Sequence, residues 1–395
     1  MPPTPKAKDM RLWQKIGLIV LFFGPLLSGI LGRALKGRPV YNGEEFETLL
    51  CAGARAAQGE TMYPLAKAFS CAGYDTVASY LYIPWPAQGL HGLVSMLGAP
   101  VVTGIYAVLF FAAIFAAIWI PIFRRVPYAT VMERVPFAGM LTGSIVLWGN
   151  IAGFIYGLIA LVALIAHRAP LLFVAVIGFS GSLKQVWLCL LTVVLFLPRP
   201  WWQRLSLFAL GAFIGLLPTY LFVTSGSSEV QAWLDILRFY AIEDLPGQGF
   251  LGWLRLVGVG PDSALNTWLW LPFAALMVSC GLGIAEKFDL TAKQRVWLGL
   301  AVGSLLIPRV VSYEFFLFAP GMVLVIHCAR EAGKRWIAWL VYGACTMTVL
   351  FNIADLGDYA ILPLTFACAL AVAITGVPHM VRGISHLLPP GLAKR

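Results

Sequence analysis

Residues 169–198 read Ala-Pro-Leu-Leu-Phe-Val-Ala-Val-Ile-Gly-Phe-Ser-Gly-Ser-Leu-Lys-Gln-Val-Trp-Leu-Cys-Leu-Leu-Thr-Val-Val-Leu-Phe-Leu-Pro. One charge, Lys184, interrupts an otherwise apolar or uncharged run. The run is about 30 residues long, whereas one membrane span needs roughly 20. A charge at membrane depth is costly and is tolerated where it meets a protein cavity or a polar surface. The spacing therefore predicts a helical hairpin with Lys184 at its tip. Two further runs share this form: Pro136–Ala166, interrupted at Gly149-Asn150, and Val296–Ile326, interrupted at Pro308-Arg309. The three hairpins decide the fold, because each returns the chain to the side it left.

Working outward, the rest of the chain fits the same frame. It is 60% hydrophobic and 12% charged, with a mean hydropathy of +0.83. An ordinary soluble domain carries about 25% charge, so a water-soluble globular protein is excluded. The run Trp13–Leu31 lacks a small-residue cleavage site and reads as a retained first span. The net charge of +10 lies in short clusters between apolar runs, as the positive-inside rule requires. Topology and contact with anionic lipid head groups account for it without nucleic acid.

The N-terminal Lys6, Lys8, Arg11 and Lys15 are then cytoplasmic. So are Arg124 and Arg125, Arg168, Arg199 and Arg204, Lys287 and Arg295, Arg330 and Lys334, and the tail with Arg382. Single spans at 13–31, 101–123, 205–224, 266–284, 336–352 and 360–379 alternate with the hairpins. Only Arg33, Lys36 and Arg38 run against the bias. The expected fold is an all-α integral membrane protein, a single domain over 1–395 with about 12 spans, within a range of about 11–13. Hairpin arms of about 14 residues rise only about 21 Å, so they must line protein rather than lipid.

Two polar segments fall outside, 33–100 and 225–264. In the first, residues 44–58 place Phe46, Leu49, Leu50 and Gly53 at helical spacing. They predict an amphipathic surface helix opened by Glu44, Glu45 and Glu47, where carboxylates suit the helix dipole. The stretch 84–97 is apolar but short and reads as a re-entrant segment. The aromatic run Tyr80-Leu-Tyr-Ile-Pro-Trp-Pro86 suits either a membrane-interface belt or a sugar-stacking platform. Residues 229–240 form a second amphipathic stretch with Trp233, Leu237 and Tyr240 on one side. Cys51 and Cys71 share the first outer segment and are a candidate disulfide; Cys189, Cys280, Cys328, Cys345 and Cys368 lie in or beside apolar runs and read as packing residues.

Glu45-Phe46, followed by Ala56, Ala57, Gly59 and Tyr63 and then Tyr80-x-Tyr82-x-Pro84, resembles the polyprenol-phosphate-sugar-dependent glycosyltransferases of family 87, in the GT-C fold class. The mycobacterial mannosyltransferases of phosphatidylinositol mannoside synthesis belong to that family. Gly149-Asn150, Lys184 and Pro308-Arg-Val-Val-Ser-Tyr-Glu314 resemble its downstream elements, so the likeness spans roughly 40–325. Glu45 stands where the family has Asp, with Glu44 beside it as a competitor, and Ile83 stands in place of a Pro.

The resemblance implies a GT-C-like bundle. It implies inverting transfer of a hexose or pentose from a polyprenyl-phosphate sugar to a lipid or glycan acceptor. Glu45 or Glu44 would be the catalytic base, and Lys184 and Arg309 would bind the donor phosphate. Tyr82, Asn150, Tyr313 and Glu314 would contact the sugar or acceptor. No metal and no cofactor is expected, nor any nucleic-acid partner, and the chain would act as a monomer. The basic, Trp-rich composition points to a bacterial cytoplasmic (inner) membrane, with the site facing the periplasm or exterior. A transporter or lipid flippase is the first alternative, although no internal repeat is visible. A surface-polysaccharide ligase or polymerase is the second, although the 225–264 segment carries only Arg238 and Arg255 as arginines. Lys184→Cys in intact cells should react with a membrane-impermeant maleimide added from outside; labelling only after lysis would reverse this topology.

Overall fold

The computed structural model describes residues 12–14, 16–17, 44–64, 69–71, 74–76, 80–120, 149–239, 247–260, 263–310, 316–353 and 361–385. Most of the expected span at 13–31 and the first arm of the 136–166 hairpin lie outside these residues. So do Glu243, Asp244 and Asp262 of the second polar segment.

The described chain is helical apart from one small ribbon. Helix α1 (Glu44–Ala57) is followed by β1 (Phe69–Cys71) and β2 (Tyr74–Thr76), which pair antiparallel with Phe69 opposite Thr76. Next come α2 (Pro84–Leu97), α3 (Ala99–Trp119), α4 (Ile151–Ala163) and α5 (Pro170–Leu183). A 3-10 turn (Gln185–Leu191) leads into α6 (Thr192–Phe196), then α7 (Trp201–Thr224), α8 (Ser228–Phe239) and α9 (Phe250–Leu256). The remainder is α10 (Leu265–Lys287), α11 (Ala292–Leu306), α12 (Ala319–Glu331), α13 (Trp336–Ile353), α14 (Leu362–Gly376) and α15 (Met380–Ser385).

Among the described residues, four helical stretches are long and apolar enough to cross a membrane: Ala99–Ala117, Trp201–Thr224, Leu265–Lys287 and Leu362–Ser385. Shorter apolar helices stand beside them at Ile151–Ala163, Pro170–Leu183, Gln185–Phe196 and Trp336–Thr348. One side of α3 exposes Val101, Ile105, Val108 and Phe115. Water would penalise such a face, and hydrocarbon does not.

The breaks in the long runs have local causes. Lys184 leaves the helical region (φ −141°, ψ 107°), and the chain turns back. A Cβ on Gly181 would overlap Leu188, and one on Gly211 would meet both Leu191 and Val174. The segment 185–196 therefore runs antiparallel to α5, while α7 runs parallel to it. Pro308 disfavours helical backbone at the residue before it, and Ile307 is accordingly extended (ψ 114°) at the end of α11. The helix α12 then packs back on α11, with Gly321 against Ala301 and the Trp297 carbonyl. At the other end of α11, Thr291 and Gln294 form a capping box.

Close helix approach depends on missing side chains, as is common between membrane helices. Gly157 of α4 lies on the Ala113 backbone of α3, and Gly376 of α14 on the Cys280 backbone of α10. One buried cluster joins α10, α11, α12, α13 and α14. A second joins α4, α5, α6 and the start of α11.

Charged residues gather at the end of the bundle opposite the hairpin tips. Arg295 pairs with Glu286 at 2.5 Å, with both side chains nearly buried. Arg204 donates to the carbonyls of Arg199 and Leu195. Lys334 donates to the Ile374 carbonyl at 2.6 Å. Lys287, Lys334 and Arg382 all lie close enough to act electrostatically on His379. This is the basic end, and the tips at Asn150, Lys184 and Arg309 form the other.

A Cβ at position 157 would sit 2.6 Å from Ala113 Cα. Gly157→Ala should therefore destabilise the protein by about 1–3 kcal/mol, the usual cost of overpacking. Gly92 is exposed with nothing within 4 Å, so Gly92→Ala should be neutral or stabilising by about 0.5–1 kcal/mol. Thermal unfolding in detergent micelles reads both.

Candidate functional site

The helix α1 begins at the tip end. Its buried face carries Phe46, Leu49 and Leu50. It lies on α2 at Gly53, which leaves room for the Ala87 carbonyl and His91 Cβ. Phe46 stacks on Tyr106 of α3, with ring centroids 3.8 Å apart and planes 9° from parallel. The Tyr106 hydroxyl donates to the Gly149 carbonyl at 2.7 Å. Through these two contacts, the first turn of α1 is held beside the Gly149–Asn150 turn that opens α4. Glu45 is half-buried there. The Glu44 side chain lies outside the described residues.

Asn150 is 5% exposed, and its Oδ1 accepts the Ala152 N–H at 2.7 Å. It caps α4. Gly149 before it has φ +63°, a conformation that favours glycine. The short link 164–169 brings α5 back antiparallel to α4, so Lys184 returns to the end where Asn150 sits.

The aromatic run 80–86 is largely packed rather than displayed. Tyr63 donates to the Tyr82 carbonyl at 2.8 Å, Trp233 of α8 to the Leu81 carbonyl at 3.1 Å, and Tyr80 to the Ile83 carbonyl at 2.7 Å. Burial raises the phenols of Tyr63 and Tyr80 well above the ordinary tyrosine range, so both remain neutral donors. The Tyr82 ring packs against two clusters, one holding Tyr63, Tyr80 and Trp233, the other Leu183 and Trp187. Trp85 meets Phe179 of α5 at 5.4 Å, about one turn before Lys184.

Lys184 Nζ lies 5.7 Å from the centre of the Trp187 ring, within cation–π range. Trp187 is fully buried and donates to the Tyr156 hydroxyl at 2.8 Å. Gln185 donates to Thr219 of α7 at 2.7 Å. The neighbouring tip shares a wall with this one: Cys189 Sγ donates to the Leu306 carbonyl at 3.5 Å, and Gly303 packs on the Cys189 carbonyl.

Arg309 follows on that second tip, which is held by Gln248. The Gln248 N–H donates to the Val310 carbonyl at 2.6 Å, and the Leu251 N–H to the Pro308 carbonyl at 3.1 Å. Gln248 Oε1 accepts from the Ile361 N–H at 2.5 Å, and its carbonyl accepts from the Thr365 hydroxyl at 2.9 Å. A Cβ on Gly247 would overlap the Arg309 side chain. Tyr313 and Glu314 lie outside the described residues.

Glu45, Asn150, Lys184, Arg309 and Tyr82 thus share the tip end of the bundle. A carboxylate can accept a proton there, and two cations can stabilise developing negative charge. Among the described residues, no group of three His, Cys, Asp or Glu is placed to hold a metal ion. Reading the sequence missed Tyr106 and Gln248. Tyr106 is one of two hydroxyl residues in the apolar stretch 99–119, and Gln248 is flanked by glycines in Gly247-Gln-Gly249. Those two features were the available signals. Glu229 takes a structural role, accepting from the Thr61 hydroxyl and the Met62 N–H at 3.2 and 3.0 Å. Comparison of the chain with protein-family models, with curated proteins and with solved structures gives no match.

Cys51, on the buried side of α1, is disulfide-bonded. The backbone of the expected partner, Cys71, ends β1, and its side chain lies outside the described residues. Cys189, Cys280, Cys328, Cys345 and Cys368 are not in disulfides. Non-reducing peptide mapping should recover the Cys51 peptide linked to the Cys71 peptide. Reduction should lower stability by about 2–4 kcal/mol; a free Cys71 thiol in the native protein would disprove the pairing.

Proposed function

We propose that this protein is a membrane glycosyltransferase with a GT-C-like bundle of about 12 spans. It moves a hexose or pentose from a polyprenyl-phosphate sugar to a lipid or glycan acceptor on the periplasmic or exterior face of a bacterial cytoplasmic membrane. The observation that carries this reading is the Phe46–Tyr106–Gly149 link. It holds the carboxylate-bearing start of α1 at the same end of the bundle as Lys184 and Arg309.

In the proposed reaction the acceptor hydroxyl oxygen bonds to the anomeric carbon from the face opposite the phosphate. The bond from that carbon to the phosphate oxygen breaks, and its electron pair stays on the departing lipid phosphate. The hydroxyl proton passes to Glu45, with Glu44 as the competing base. Lys184 and Arg309 stabilise the growing phosphate charge. Tyr82, Asn150, Tyr313 and Glu314 orient the sugar and the acceptor. Inversion follows from the single displacement.

Purified protein offered a panel of polyprenyl-phosphate sugars and membrane lipids should transfer sugar. Glu45→Gln should lower the rate by about 10²–10⁴-fold, and Lys184→Gln by about 10²–10³-fold. Stability should change by no more than about 1 kcal/mol for Glu45→Gln at a helix start. Transfer unchanged in both Glu45→Gln and Glu44→Gln would refute the base assignment. No turnover with any carrier, together with substrate flux in liposomes, would replace this reading with a transporter.

A further inference from the structure

At the basic end, α15 crosses α10 at a pair of glycines. Gly283 of α10 lies against the backbone of His379 and Met380, and Gly383 of α15 lies on the Gly283 backbone. The crossing fixes what stands around His379. Lys287 follows Gly283 by one turn on α10 and shares its face. Arg382 follows His379 by three residues of helical backbone. Lys334, from the link between α12 and α13, donates to the Ile374 carbonyl at 2.6 Å. The Phe288 ring stands nearly perpendicular to the imidazole, with centroids 6.4 Å apart.

Three cations from three segments thus act on one imidazole, and no carboxylate is among the charges that do so. A helix C-terminus accounts for one cation, not for three that converge. The buried cations of this end are satisfied inside the protein, Arg295 by Glu286 and two carbonyls and Arg204 by two carbonyls. The cluster at His379 is not. Glu286, next to Lys287, is taken by Arg295, and Asp289 makes no ion pair with Lys287. Among the described residues, no acceptor meets the Lys287 ammonium or the Arg382 guanidinium. Lys334 keeps donors beyond the one on Ile374. Like charges held together by packing repel, and an anion between them offsets that repulsion.

The surroundings select the kind of anion. Val377 and Val381, beside His379 and Arg382, are 48% and 77% exposed. Trp336 and Trp339, which open α13 just after Lys334, are exposed as well. Tryptophans mark the level of lipid head groups, and exposed valines suit acyl chains. The cations therefore lie at the depth of a lipid phosphate, with apolar side chains beside them.

We propose that Lys287, Lys334, Arg382 and His379 bind the phosphate of an anionic phospholipid in the leaflet at the basic end. Basic pockets between membrane helices on the cytoplasmic side hold such head groups. The Arg382 guanidinium offers phosphate a two-pronged set of donors, and the lysines act as point charges. The lipid joins α10, the α12–α13 link and α15. The site is separate from the tip end and does not depend on the glycosyltransferase reading.

The test titrates dioleoyl phosphatidylglycerol or dioleoyl phosphatidylcholine into the full-length protein in a non-ionic detergent, with bound lipid counted by native mass spectrometry. Phosphatidylglycerol should saturate one site and bind roughly tenfold or more tighter than phosphatidylcholine. Lys287→Gln and Arg382→Gln remove exposed charges that have no protein acceptor, so melting in lipid-free detergent should change little. Each should weaken phosphatidylglycerol about fivefold, the equivalent of about 1 kcal/mol per cation near the surface. Lys293, exposed in the first turn of α11, is not among the charges acting on His379. Lys293→Gln removes the same charge from the same end and should leave binding within about twofold. A loss as large in Lys293→Gln as in the other two would mean diffuse attraction and overturn the site. Unchanged binding in both Lys287→Gln and Arg382→Gln would overturn it too, as would equal binding of the two lipids. Full displacement of phosphatidylglycerol by inorganic phosphate would reassign the site to a free anion and reject the lipid.

Discussion

Hydrocarbon offers no partner to a peptide group whose helix has ended. Every break in the apolar runs of this chain must therefore be covered by the protein itself. Asn150 covers the start of α4 with its own side chain. The segment 247–251 covers Pro308 and Val310 with two backbone donors. Gln185, just past Lys184, is anchored by Thr219 of α7. The polar groups concentrated at the tip end follow from this need for coverage. Any binding of a polar substrate at membrane depth would build on the same groups.

The basic end meets a related constraint differently. Burying an arginine is costly unless its donors are met. Arg295 meets Glu286 and the carbonyls of Leu290 and Ala285, and Arg204 meets two further carbonyls. These contacts join the ends of α6, α7, α10 and α11. With glycines at 157, 299, 321 and 376 allowing close backbone approach, they tie the helices together at the end opposite the tips.

Much of the fold could be read from the chain because its signals are local. The interruptions at Lys184 and Pro308-Arg309 are turning points in the structure, and Gly149-Asn150 is where α4 begins. The stretch 84–97 is one helix with those bounds, and the predicted surface helix at 44–58 is found at 44–57. A positive φ at Gly98 ends the former and starts α3. The site was less legible. Glu45, Lys184 and Arg309 stood out as charges in or beside apolar surroundings. The residues that hold them in place, Tyr106, Trp187 and Gln248, look ordinary in sequence, because their partners lie tens of residues or more away.

The sequence by itself determined that the chain is helical, of membrane character and broken at three positions. Hydropathy, charge clusters and helix-breaking residues act over a turn or two of chain and leave a periodic trace. Only the tertiary structure decided that α3 and α4 lie side by side, with Tyr106 on the Gly149 carbonyl and Gly157 on Ala113. It alone decided that Gln248 joins the Arg309 turn to α14, and that α9, α13 and α14 leave an apolar groove between them. Such contacts depend on the shapes of side chains brought together from distant segments, and no local pattern of residues encodes them.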